Sequence, residues 1–109
     1  VDRISEASGV RMLSYGHAGD GNLHVNFLWN DASERPAVDG AIFELMKATV
    51  ALGGTLSGEH GIGIAKAAYL PLEQSDGLIE LQRDLKRVFD PKDLLNPGKI
   101  FPPRGHRAC

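Results

Sequence analysis

His17 and His24 lie seven residues apart in GHAGDGNLHVN, residues 16–26, and Glu59-His60 lies inside GGTLSGEHGIG, residues 53–63. Two imidazoles and a carboxylate are a donor set for catalytic Zn²⁺, or for divalent iron or manganese with open coordination positions. A structural zinc site more often uses cysteine, and Cys109, the last residue, is the only one in the chain. A histidine pair alone is a weak signal, because surface histidines on hairpins are common. The second glycine-rich segment, with Glu59-His60 at its centre, is what strengthens the metal reading.

Five glycines in residues 53–63 let backbone come close to a ligand without intervening side chains, or serve only as loop punctuation. A phosphate-binding loop would need the lysine and Ser/Thr ending that this stretch lacks, and its spacing does not fit a dinucleotide fingerprint. Asp20 reads as a turn former. Asn26 shares a strand face with His24, where an amide either hydrogen-bonds a substrate or simply meets solvent. Ser57 is not in a nucleophile elbow. No role is assigned to His106 or Cys109.

These residues need elements to hold them. Residues 2–8 read as the end of a helix closed by Gly9, residues 10–17 as a strand, and LHVNFLW as a second strand. In that strand Leu23, Val25, Phe27 and Trp29 share one face, with His24, Asn26 and Leu28 on the other. Asp20-Gly21 predicts a two-residue hairpin turn. Facing residues then sum to 41, so Tyr15 faces Asn26 and His17 faces His24, with Cβ atoms about 4.5–5.5 Å apart. After a polar break at 31–36, apolar positions at helical spacing predict a helix over 37–52, ended by Gly53-Gly54. Residues 64–69 read as helical with a break at Pro71. Ile79, Leu81, Leu85 and Val88 predict an amphipathic helix stopped by Asp90-Pro91, and the polar tail is expected to be disordered.

The 109 residues suffice for one domain at most, with 42% hydrophobic and 24% charged residues. A net charge of -2 gives no reason to expect nucleic acid or an anionic membrane as partner. No apolar run approaches the roughly 18 residues of a membrane span. With one cysteine no intrachain disulfide forms, which suits a reducing compartment. The chain opens on Val1, inside a helical pattern, and is expected to be a piece of a longer protein.

GHAGDGNLHVN, GGTLSGEHGIG and DPKDLLNPGKIF, in that order, strongly resemble the C-terminal end of FAD-linked oxidases of the glycolate oxidase and D-lactate dehydrogenase group, with the vanillyl-alcohol-oxidase type of flavin fold. The resemblance covers residues 1–101. It implies an α+β fold: an antiparallel sheet with helices on one face, part of a ferredoxin-like cap domain, plus a C-terminal helical segment. Residues 102–109 are left as a polar tail, and the FAD-binding domain is absent from this chain.

The resemblance further implies oxidation of a D-2-hydroxy acid to the 2-oxo acid, with FAD held mainly by the missing domain. His17, His24 and Glu59 match metal ligands in the metal-dependent relatives, His60 the proposed base, and Asn26 a substrate-contacting position. Asn96 and Lys99 fall in a segment that lies near the flavin. Zinc suits the donor set best, and manganese or iron would bind it too. The missing domain is the expected partner, with self-association through the exposed cap surface as a further consequence. The expected location is cytoplasmic, peripheral to a membrane only through partner subunits. Two rival readings are a non-catalytic metal-binding or assembly module of the same fold, and a stand-alone metallohydrolase, for which the chain is too small to enclose a substrate well.

Overall fold

A hairpin and two helices make up the first half of the chain in the computed structural model, which describes residues 1–103. Helix α1 (Asp2–Ser8) leads into strand β1 (Arg11–His17), strand β2 (Asn22–Leu28), a 3-10 turn at Ala32–Glu34 and helix α2 (Arg35–Ala51). The two strands pair antiparallel, which confirms the α+β class. Contacts divide the chain after Gly54 into two units.

A two-stranded ribbon is marginal in water, so its apolar face must be covered. Met12 and Phe27, opposed across the strands, pack with Ile4 and Ile42 around buried Val10, Val38 and Ala41. The helices therefore cover one face of the hairpin. Burying a side chain such as Val10 or Val38 contributes about 1.5–3 kcal/mol. Local signals set the 3-10 turn that leads into α2 and the end of that helix. At the turn, Asp31 Oδ1 accepts from Ser33 N at 2.8 Å, while Glu34 Oε1 accepts from the Asp31 and Asn30 amides, completing a capping box. The amides of Gly53 and Gly54 then close the last turn onto the Val50 and Thr49 carbonyls.

The hairpin register differs from the two-residue turn that Asp20-Gly21 suggests. His17 pairs with Asn22 and Tyr15 with His24, so facing residues sum to 39 and the loop holds four residues, 18–21. A two-residue type I′ turn needs positive φ at both central positions. Asp20 keeps a negative φ, and only Gly21, at +70°, goes left-handed. Its amide donates to the His17 carbonyl at 3.0 Å, and Asp20 Oδ1 accepts from Asn22 N at 3.2 Å. The loop thus gains two residues, an even number, and every side chain keeps its face.

The second unit, from Thr55, is helical. A 3-10 turn at Ala67–Tyr69 runs into the short helix α3 (Leu70–Glu73), followed by α4 (Asp76–Phe89). Pro71 does not break this segment. It stands in the first turn of α3, where its missing N–H has no helical partner to lose. The buried apolar residues of this unit are Leu56, Ala67, Leu70 and Ile79. On α4 only Ile79 is buried. Leu81, Leu85, Val88 and Phe89 form an exposed apolar row, so the amphipathic pattern in the sequence marks a face that the described residues leave open. No helix among the described residues is long and apolar enough to cross a membrane.

Pro102, at the start of the expected polar tail, is buried, and its carbonyl accepts from Arg83 Nη2. His106 and Cys109 lie outside the described residues.

Candidate metal centre

The face of the hairpin turned away from the core carries the polar row. Leu13, Tyr15 and His17 on β1 stand beside Asn22, His24 and Asn26 on β2. His17 and His24 are diagonal neighbours rather than a facing pair, and their rings meet edge-on with centroids 5.7 Å apart and planes at 77°. An ion bound at about 2.0–2.1 Å lies about 3.2 Å from a ligating ring's centroid, so two rings on one tetrahedral ion stand about 5 Å apart. The observed spacing fits with a small adjustment of side-chain torsions. His24 is half-buried and His17 is exposed, so the pair is open to solvent on one side.

Tyr15, rather than His17, faces His24. Its ring stacks on the imidazole with centroids 5.2 Å apart and planes at 30°. Asn26 lies on the same face, two residues along the strand from His24, and is exposed.

In the second unit Glu59 and His60 sit side by side in the glycine-rich loop, with Glu59 Oε1 3.4 Å from His60 Nε2. Both side chains are well exposed. Four of the loop's five glycines, Gly53, Gly58, Gly61 and Gly63, are left-handed, so glycine at these positions is a backbone requirement. Two charged side chains fasten the start of the loop. Glu73 accepts from Thr55 Oγ1 at 2.8 Å and from Leu56 N at 2.9 Å. Lys66 Nζ donates to the carbonyls of Leu56 at 2.6 Å and Ser57 at 3.3 Å. Opposite charges thus satisfy donors and acceptors of the same short stretch.

Residues 90–101 are ordered by a third charge. The buried Asp90 carboxylate accepts from Leu94 N and Leu95 N, each at 2.9 Å, and from Lys86 Nζ at 2.8 Å. These bonds, the one from Lys86 first, hold its pKa down at about 2. Asp93, Asn96 and Gly98 are left-handed beyond it, and so is Ile100, whose branched side chain makes that conformation costly. The Ile100 amide donates to the Gly63 carbonyl at 2.7 Å. The segment with Asn96 and Lys99 is thereby tied to the loop with Glu59 and His60.

Within the first unit the fold brings together His17, His24 and the Asn26 face; within the second it joins Glu59 to His60 and ties the 90–101 segment to their loop. Sequence reasoning missed Tyr15, because the assumed turn set it against Asn26. It also missed Lys66, Glu73 and Asp90, whose partners are backbone groups and leave no spacing pattern. Asp90 was legible only as a helix stop.

With this geometry in place, the class of protein is defined: the chain belongs to the family of FAD linked oxidases, C-terminal domain, whose model it matches over residues 1–100. It is 38% identical over 103 residues to the glycolate oxidase subunit GlcD of Bacillus subtilis, covering 93% of this chain and 22% of that protein. It is 42% identical to a D-lactate dehydrogenase of Archaeoglobus fulgidus, covering 91% and 22%. With a D-2-hydroxyglutarate dehydrogenase of Xanthomonas citri the identity is 45%, covering 80% and 19%. The chain thus spans about a fifth of the length of these relatives.

Proposed function

We propose that this chain is the substrate- and metal-binding part of a flavin-dependent dehydrogenase that oxidises a D-2-hydroxy acid, of the glycolate or D-lactate type, to the 2-oxo acid. The observation that carries the reading is the pair of imidazoles, His17 and His24, held 5.7 Å apart on the polar face of a family-matched hairpin. The names of the relatives, all hydroxy-acid oxidases or dehydrogenases, supply the substrate class.

In this reading His17, His24 and Glu59 hold a divalent ion, zinc by donor type, with manganese or iron as alternatives. A metal there supplies positive charge against the substrate's hydroxyl and carboxylate oxygens, and FAD, held mainly outside this chain, supplies the redox chemistry. His60 accepts the hydroxyl proton at an imidazole nitrogen. Asn26 donates an amide hydrogen bond that orients the acid. Asn96 and Lys99 would contact the flavin, and the Asp90 turn fastens the start of their segment.

The exposed apolar row of α4 supports a covering partner in the whole enzyme, either the flavin domain or a second copy.

The test is the metal content of the purified chain beside His17→Ala and Glu59→Ala. The reading expects one divalent ion per chain, lost in both variants. Full retention in Glu59→Ala would remove the carboxylate from the ligand set, and no metal in the unaltered chain at saturating concentration would overturn the metal reading.

A further inference from the structure

The four-residue loop has a chemical consequence. It moves the register so that Tyr15 stands directly across from His24, and the two rings stack at 5.2 Å with planes 30° apart. Directly opposed side chains on one sheet face are the closest non-bonded neighbours a strand residue has. His17, one step along the same face, meets the His24 ring in an edge contact at 77°. The His24 imidazole is therefore in contact with two aromatic rings.

From this we infer that Tyr15 is a positioning residue for His24: its ring fixes the plane of the imidazole, so that the ring's in-plane nitrogens point along the hairpin face before any ion arrives. A histidine on an exposed strand otherwise rotates about two side-chain torsions and loses that freedom on ligation, at a cost to affinity. Stacking covers one face of the imidazole, and both nitrogens lie on the edge of the ring. The effect belongs to the ring of Tyr15 and not to its hydroxyl. Tyr15 is 59% exposed, so packing in the core is not what retains an aromatic residue here. The inference rests on the metal reading for its purpose, but the positioning itself is a property of the hairpin alone.

The experiment compares the unaltered chain with Tyr15→Phe and Tyr15→Leu, both able to occupy a strand. Co²⁺ affinity is read from its visible absorption, and the ring resonances of His24 are read by NMR without metal. Tyr15→Phe is expected to bind within twofold of the unaltered chain. Tyr15→Leu is expected to bind about threefold to tenfold more weakly, the range a single aromatic stack commonly supports. The His24 ring protons are expected upfield in the unaltered chain and in Tyr15→Phe, and to return towards random-coil positions in Tyr15→Leu.

Equal affinity in Tyr15→Leu would overturn the inference, and so would equal weakening in Tyr15→Phe, which would assign the effect to the hydroxyl. If the unaltered chain takes up no Co²⁺, the metal reading fails and the NMR arm decides. Loss of the upfield shift in Tyr15→Leu alone would support the stack on which the positioning rests, and unchanged shifts across all three proteins would refute it.

Discussion

Replacing Gly16 by alanine tests the hairpin geometry at the point where it presents His17. A Cβ at Gly16 would overlap the Asn22 carbonyl oxygen and stand 3.0 Å from Leu23 Cα and 3.1 Å from the Asn22 carbonyl carbon. All three atoms belong to the backbone of the paired strand, so no side chain can swing aside and the strands themselves must part. Overpacking of this kind costs up to about 3 kcal/mol. The entropy that alanine removes from the unfolded chain returns about 0.5–1 kcal/mol. The net expectation is destabilisation by about 2 kcal/mol, or about 30-fold in the ratio of folded to unfolded chain. Two nearby glycines serve as controls. An added Cβ at Gly19 meets nothing within 4 Å, and φ there is not left-handed, so Gly19→Ala should keep that gain of about 0.5–1 kcal/mol. Gly21 is equally open but sits at φ +70°, so Gly21→Ala should lose about 1 kcal/mol through backbone strain alone. Trp29, the only tryptophan, lies in the same unit and reports its urea unfolding by fluorescence. Equal midpoints for Gly16→Ala and Gly19→Ala would refute the observed register. A fall in Co²⁺ affinity should accompany the loss of stability in Gly16→Ala, because the strand that must move carries His17.

The second unit offers further expectations. Leu70 is 1% exposed, and Leu70→Ala should cost about 2–5 kcal/mol, measured as faster amide hydrogen exchange in α3 and α4. Asp90, held at about 2, stabilises the fold fully above the ordinary carboxylate range, and that contribution is lost as pH falls from about 4 towards 2. The stability gap between the unaltered chain and Asp90→Asn should therefore be widest near neutrality and close by about pH 2; a gap independent of pH would remove the carboxylate as its cause. Lys86, raised above its ordinary pKa first by the Asp90 hydrogen bond, should lose its contribution only as pH rises past the ordinary lysine value, so an alkaline titration of stability should be flat below about pH 10. Lys66→Met strips a donor from the Leu56 and Ser57 carbonyls and should loosen their loop by about 1–3 kcal/mol, read as faster amide exchange over residues 55–63 with α2 unchanged.

Much of this protein is legible in one dimension. Helical spacing and caps located α1, α2 and α4 to within a few residues, because those signals act over one or two turns. Alternation placed His24 and Asn26 on the face opposite Phe27, and side-chain parity survives any change of loop length by an even number of residues. The three motifs and their order marked the family, and glycine density around Glu59-His60 marked an irregular loop, in which the structure makes four glycines left-handed.

The tertiary structure decided which residues meet. Whether Asp20-Gly21 makes a two-residue or a four-residue loop turns on the φ of Asp20, and a composition rule cannot read that angle; upon it depends whether His17 or Tyr15 faces His24. The charges that fasten the glycine-rich loop and the 90–101 turn bind backbone amides and carbonyls, which every residue possesses, so no pattern of residue types announces them. Leu81, Leu85 and Val88 look like core in the sequence and stand exposed on α4, because periodicity reports that a helix has an apolar face, while only packing determines what covers it.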